Sequence, residues 1–319
     1  MGKPQKILIF KLGYTEILDK EQNGRIVSLG DVLRTTPILH KYKENHVTWV
    51  TSEEAKPLLI NNPHINRLMT LDLINSLQLE SEEFDKIINL EKVPGICALS
   101  DKIRARKVRY GFTFDTQTGE AEALDKAYEV LAVSFKPEYK KKNQRTFQEL
   151  LFEMLGEKFK GEECILEYKS KVKEEYDVGL NTQVGKKWPS KAWANKNWDK
   201  LESLLLEEGL NVTRQDKQSK NVLKDLYSYM DWISSSKIIV TNDSLGLHLG
   251  LAMKKHVLGL FGPTSYKEIC FYERGKAIMP SNTQECFPCF EPVCEKGIDS
   301  CINLITPEKV FQEVKDYCL

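Results

Sequence analysis

Lys237-Ile238-Ile239-Val240-Thr241-Asn242-Asp243-Ser244-Leu245-Gly246-Leu247-His248-Leu249 is the stretch that decides the fold class of this chain. Its first five residues are a short run of mostly β-branched side chains, which predicts a strand buried on both faces. Asn242, Asp243 and Ser244 are turn and cap residues, and the pattern beyond them predicts a helix over residues 245–253. Residues 257–261 (VLGLF) then predict a second strand, which delivers the loop Gly262-Pro263-Thr264-Ser265. Short apolar strands alternating with helices imply an α/β architecture with a parallel sheet.

The same alternation extends outward. Upstream in the second half, residues 176–180 read as a strand and 198–208 as a helix. The lysine-rich stretch 168–173 reads as a solvated linker. Before it, strands are expected at residues 6–10, 46–51, 85–90 and 108–112. Helical stretches are expected at 55–60 and at 147–155, the latter ending at Gly156. Residues 29–39 read as a glycine turn opening a helix, with Pro37 either kinking it or starting its regular part. Asn23-Gly24 marks a hairpin over residues 14–27. Thr306 and Pro307 open a last helix. The expectation is two sheet domains in tandem, 1–167 and 174–305, followed by a helix over 306–319.

A chain of 319 residues suits two domains of about 150 each. Lys plus Arg and Asp plus Glu both number 46, a balance that argues against a nucleic-acid partner. No apolar run approaches the ~20 residues needed to span a bilayer, and residues 7–10 are too short for a signal-peptide core. The expected location is cytoplasmic, with docking on a membrane surface left open.

A strand running into a helix N-terminus presents backbone N–H groups and the positive end of the helix dipole to an anion. Ser244 adds a hydroxyl, and His248, one turn on, is placed to donate to a phosphate or a sugar. Two loops at the carboxyl ends of neighbouring strands, Asp243–Leu245 and Gly262–Thr264, form the usual ligand crevice of an open α/β sheet. For Asp243 or Ser244 taken singly, a plain helix cap is an equal reading.

Thr241 to Leu249, followed by Leu260-Phe261-Gly262-Pro263-Thr264, resembles the donor-site signature of glycosyltransferase family 9, which contains the lipopolysaccharide heptosyltransferases. Ser28-Leu29-Gly30-Asp31-Val32-Leu33-Arg34-Thr35-Thr36-Pro37 resembles the family's N-terminal motif. Lys186-Lys187-Trp188-Pro189 with Trp193 resembles its basic-aromatic motif. The resemblance implies the GT-B fold, two Rossmann-like domains facing a central cleft, with acceptor bound by the first and nucleotide sugar by the second. It implies inverting transfer in which Asp31 is the base, although Asp after Gly also suits a helix cap. Gly30 and Arg34 would serve the acceptor, with Arg34 equally readable as a surface arginine. Lys187, Asp243, Ser244, Leu245, Gly246, His248, Gly262 and Thr264 would hold the donor; for Lys187 a solvated surface lysine is the alternative. No Asp-x-Asp occurs in the chain, so protein groups rather than a metal clamp are expected to meet the diphosphate charge, with no cofactor for the chemistry.

Three features depart from the family pattern. The common Asp-Thr-Gly-Pro-Met-His is Asp243-Ser244-Leu245-Gly246-Leu247-His248, with the glycine one place later. The 14–27 hairpin is inserted before Gly30-Asp31, as a lid or as a surface hairpin. Residues 211–225 lack the usual glycine-rich turn. Cys286, Cys289, Cys294 and Cys301 lie within one short segment, and four thiolates suit a structural zinc or iron ion; free thiols or disulfides are the other readings. The functional expectation is transfer of a sugar, heptose by family likeness, from a nucleotide-diphospho-sugar to a bacterial surface glycan or glycolipid, with peripheral contact at the inner membrane face. The competing classes are a non-catalytic nucleotide-sugar-binding or metal-linked assembly protein of the same fold, and a nucleotide-sugar epimerase.

Overall fold

A computed structural model describes residues 3–14, 27–215, 223–282 and 285–318. The hairpin expected at 14–27 falls, apart from its two end residues, outside them. The chain forms two compact units, Met1–Glu167 and Tyr168–Leu319.

The first unit contains β1 (Lys6–Phe10), α1 (Leu29–Leu33), β2 (His46–Thr51), β3 (Arg67–Thr70), α2 (Leu73–Glu80), β4 (Glu83–Asn89), α3 (Pro94–Lys102), β5 (Arg104–Phe114), β6 (Ala121–Ala123), α4 (Ala127–Phe135), α5 (Pro137–Lys142) and α6 (Phe147–Met154). Its strands lie in the order β3-β2-β1-β4-β5-β6, parallel except for the β5–β6 pair. Ile7, Leu8, Ile9 and Phe10 of the central strand are all fully buried, as a strand covered on both faces requires. Residues 29–39 do not form one helix. α1 ends at Leu33, and a 3-10 turn, Thr36–Tyr42, carries Pro37 as its second residue, where a missing N–H costs nothing. Residues 55–60 give only the 3-10 turn Lys56–Leu58. Pro57 removes a donor, and Asn61 turns left-handed at φ 62°, which ends the segment.

The second unit contains β7 (Tyr176–Asn181), α7 (Asn195–Glu207), β8 (Val212–Gln215), α8 (Leu226–Ser234), β9 (Ser236–Asn242), α9 (Leu245–Ala252), β10 (His256–Leu260), β11 (Gly275–Ile278) and α10 (Pro307–Cys318). Its sheet is fully parallel, in the order β11-β10-β9-β7-β8. One face packs Val178, Leu180, Ile238, Val240, Leu258 and Leu260 against α7 and α10, so the last helix is part of this unit's core. Residues 168–173 also belong to this unit: Tyr168 and Ser170 both donate hydroxyl hydrogen bonds to Asp231 on α8.

In each sheet the strand order reverses once, between β1 and β4 in the first unit and between β9 and β7 in the second. At such a reversal the loops leaving the strand ends diverge, opening a crevice at the carboxyl edge.

Candidate functional site

In the second unit, β7 ends at Asn181 and β9 ends at Asn242, side by side at the strand reversal. The amide of Asn181 is fully buried and donates to Thr241 Oγ1 at 2.7 Å and to Ser244 Oγ at 3.1 Å. Ser244 is the N-cap of α9, yet its side chain makes no capping hydrogen bond. The fold diverts that hydroxyl sideways; the Leu247 N–H donates to the Ser244 carbonyl at 3.1 Å, and the Leu245 and Gly246 end of α9, with its positive dipole, is left to another acceptor. The late glycine has a cause here: a Cβ at Gly246 would lie 2.3 Å from Asn181 Nδ2 and 2.5 Å from the Tyr229 hydroxyl. Gly262, by contrast, is a packing glycine, since a Cβ there would meet Ile302 at 2.7 Å.

Asp243 is the hub of this site. Its Oδ2 accepts from Lys191 Nζ at 2.6 Å and from Thr264 Oγ1 at 2.8 Å. The Lys191 and Asp243 side chains are only 17% and 12% exposed, and the Lys191 ammonium sits 5.1 Å from the centre of the Trp188 ring. The loops after β9 and β10 and the 3-10 turn Pro189–Lys191 therefore converge on one carboxylate. His248 is near enough to act on it electrostatically, and Leu245 opens the helix at its side. Lys187 is half-buried four residues before Lys191. Sequence reasoning singled out Lys187 and missed Lys191 and Asn181. Nothing in the spacing of the three lysines separates them; the fold-back of the 3-10 turn does. Trp193 packs inside, its indole N–H donating to Ile305 O at 3.0 Å, away from Asp243.

Burial raises the Asp243 pKa, but the charge and hydrogen bond of Lys191, the His248 charge and the Thr264 hydroxyl outweigh it and hold the carboxyl below its ordinary value. A lowered native pKa adds stability above the unfolded-state value, and that stability is lost as pH falls through the native one. Lys191→Met should therefore destabilise the fold by about 3 kcal/mol at neutral pH. The gap in Tm from wild type should narrow as pH drops below ~4. A pH series of melting curves for the two proteins checks it; a gap independent of pH would refute the assignment.

In the first unit, the residues just past β1 and β4 form a buried charge pair. Lys11 Nζ lies 3.2 Å from Glu91 Oε1, with the side chains 2% and 0% exposed. The same oxygen accepts from the backbone N–H of Leu12 at 2.8 Å and of Gly13 at 2.9 Å. Gly13 has φ +92°, and its carbonyl accepts from Ser28 N at 2.9 Å. Ser28 is the N-cap of α1, and Asp31 lies inside the first turn, so the capping alternative for Asp31 does not hold. Asp31 Oδ1 lies 2.6 Å from an Arg34 guanidinium nitrogen, and that guanidinium stacks 4.0 Å from the centre of the Phe147 ring on α6. Arg34 is therefore fixed in place rather than a solvated surface residue. Gly30 is buried beside it. Lys11 and Glu91 were missed by sequence reasoning, and their only signal is that each charge directly follows a buried strand.

Cys286, Cys289, Cys294 and Cys301 form no disulfide, and Cys301 is buried. The Cys301 thiol is pushed up to about 11, first by burial and then by the other three cysteines. Four thiols within one short segment suit a tetrahedral ion by donor chemistry. Among the described residues, however, no three His, Cys, Asp or Glu side chains are gathered closely enough to hold one. Of the stretch 211–225, residues 216–222 lie outside the description; Asp225 caps α8 through Ser228 N at 2.8 Å.

Residues 221–298, which include Asp243, Thr264 and three of the four clustered cysteines, match Glycosyltransferase family 9 (heptosyltransferase). This chain is similar to glycosyltransferase family 9. Lipooligosaccharide heptosyltransferase 2 of Campylobacter jejuni is 25% identical over 117 residues, 37% of this chain. The aligned stretch spans only 35% of that relative's length. Over nearly the full chain the fold matches a family 9 glycosyltransferase from Veillonella parvula, with TM-score 0.69, 16% identity, and coverage of 99% of this chain and 98% of the other. It also matches the E. coli heptosyltransferase WaaC solved with ADP-2-deoxy-2-fluoro heptose, with TM-score 0.62, 13% identity, and coverage of 98% and 99%. The iron-containing dodecameric glycosyltransferase TibC of enterotoxigenic E. coli matches with TM-score 0.58, 14% identity, and coverage of 99% and 76%. The fold is that of the family 9 enzymes, two Rossmann-like α/β units of the GT-B type.

Proposed function

We propose that this chain is an inverting glycosyltransferase that moves a sugar, heptose by family likeness, from a nucleotide-diphospho-sugar to a hydroxyl of a bacterial surface glycan or lipopolysaccharide precursor. The observation that carries the reading is the α9 N-terminus, where Ser244 is held off its own helix by Asn181. A helix end kept clear of its own cap, beside Lys191, Lys187, His248 and Thr264, suits a diphosphate.

In the proposed reaction Asp31 accepts the acceptor hydroxyl's proton. The acceptor oxygen forms a bond to the anomeric carbon as the carbon–oxygen bond to the diphosphate breaks, and the electron pair leaves on the phosphate oxygen. Arg34 holds the Asp31 carboxylate in one orientation for that transfer. Lys191, Lys187 and the α9 amides meet the charge that develops on the leaving group, so no metal takes part in the chemistry.

A thermal-shift panel of nucleotides and nucleotide sugars, including an ADP-heptose, tests the donor site. A ligand at about a hundred times its Kd should add about 2.7 kcal/mol to apparent stability. A panel in which no nucleoside diphosphate or its sugar raises Tm would overturn the reading. The alternative of a non-catalytic nucleotide-sugar-binding protein draws on the tight Asp31–Arg34 pair. It predicts the same shifts with no turnover on any acceptor.

The proposal places the protein in the cytoplasm with peripheral contact at the inner membrane face; no helix among the described residues is long and apolar enough to cross a membrane. It also assigns the four-cysteine segment to one structural zinc or iron ion, around which the thiolates would draw together. Elemental analysis of protein purified without chelator should find about one ion per chain, and Cys289→Ser should lose it with a fall in Tm. A metal-free wild type with unchanged Tm in chelator would remove the ion from the proposal.

A further inference from the structure

α4 keeps Val130, Leu131 and Val133 half-buried but holds two aromatic side chains in the open, unlike an ordinary solvated surface helix. It turns the small residues Ala127 and Ala132 inward, and leaves Tyr128 and Phe135 at 55% and 48% exposure. Ordinarily the large apolar side chains face the core and the small or polar ones face water. Tyr139 on the next helix, α5, is 43% exposed. Lys136, at the junction of the two helices, lies 5.6 Å from the Tyr128 ring centre and 5.4 Å from that of Tyr139, and donates to the Tyr128 hydroxyl at 3.3 Å. Two exposed rings and a lysine thus form one cluster, with Phe135 adjacent in the chain.

The charge around these rings is predominantly positive, with Glu138 the acidic neighbour of Lys136. Residues 126–142 carry five lysines and two glutamates in a chain of zero net charge. One of the two glutamates, Glu129, is neutralised by Arg145. Lys126, Lys136, Lys141 and Lys142 are exposed.

We infer that the α4–α5 face docks this protein on an anionic lipid bilayer. Tyrosine settles at the headgroup level with its ring buried and its hydroxyl wet, phenylalanine buries its ring at the acyl boundary, and lysines reach past them to the phosphates. The make-up of the patch favours lipid over protein: protein interfaces are enriched in Arg and depleted in Lys, whereas every exposed cation here is lysine. The inference deepens the membrane contact of the proposed function, but it stands on the patch and needs no transferase activity.

The test is co-sedimentation of the full chain with phosphatidylcholine vesicles made with and without phosphatidylglycerol. Wild type should sediment with the anionic vesicles, remain in solution with the neutral ones, and be released by salt. The triple variant Lys136→Gln, Lys141→Gln, Lys142→Gln should lose on the order of a hundredfold in partitioning. The variant Tyr128→Ser, Phe135→Ser, Tyr139→Ser should lose binding at low salt while keeping its Tm, because all three rings are exposed. As a control, Leu73→Ser, Ile74→Ser, Leu77→Ser removes the exposed aliphatic face of α2, which bears no lysine, and should bind as wild type does. Equal binding by wild type and both patch variants, or no binding to anionic vesicles, would overturn the inference. So would a change of oligomeric state in the ring variant, which would mean that a second copy covers this face. Transfer to a soluble acceptor, measured in parallel, separates failure of the docking surface from failure of the enzymatic reading.

Discussion

Asp31→Asn should lower kcat by about a thousandfold and leave donor affinity unchanged. Asparagine keeps the size of the side chain and an oxygen that can face Arg34, so the 2.6 Å contact can persist in weaker form. What disappears is the capacity to accept a proton. The proposed donor groups, Asp243, Lys191 and the α9 N-terminus, belong to the second unit, whereas Asp31 belongs to the first. The expected pattern is therefore a fall in kcat with KM for donor intact, the signature of a group used only in the transition state. Steady-state kinetics with calorimetric donor binding would check it. A variant retaining turnover within about tenfold of wild type would strike Asp31 from the mechanism.

Glu91→Ala should be among the most damaging single substitutions of a polar residue, at about 3–5 kcal/mol. The change strands the Lys11 ammonium in the interior and removes the acceptor for the Leu12 and Gly13 amides. For a unit of this size the loss corresponds to a fall in Tm of about 6–20 °C. The damage should also travel, because the Gly13 carbonyl holds Ser28 at the head of the helix that carries Asp31. Hydrogen exchange at Ser28 and through α1 should rise beyond what the Tm change alone explains. Combining Lys11→Met with Glu91→Gln should recover part of the stability, since no unpaired charge then remains buried. Full stability of Glu91→Ala alone would contradict the burial and bonding assigned to this pair.

Both large effects concern residues whose visibility in the sequence differed sharply. Asp31 stood out because Gly30-Asp31 belongs to a stretch that resembles a family motif. Glu91 did not, since a lone glutamate after Leu90 has the look of any solvated charge. The proposed donor site was legible in part. Asp243, Ser244, His248 and Thr264 lie at helix and strand ends that local pattern alone marks. Asn181, sixty residues earlier, was invisible because its meaning depends on β7 pairing with β9. Lys191 was not legible, because chain position cannot say that a 3-10 turn folds it back onto Asp243. The departure at Gly246 was legible as a departure, while its cause, the Asn181 and Tyr229 side chains pressed against it, was not.

By itself the amino-acid sequence determined the α/β class, the division into two sheet units, and the strand ends at which small and polar residues collect. These are consequences of local periodicity, cap chemistry and the length of apolar runs, all properties of neighbours along the chain. Only the tertiary structure decided which distant groups share a proton, a charge or a van der Waals boundary: Lys11 with Glu91, Lys191 with Asp243, Asn181 with Ser244, Arg34 with Phe147. Those pairings depend on strand order and loop return, which bring together residues from 52 to 113 positions apart, and no local pattern records that proximity.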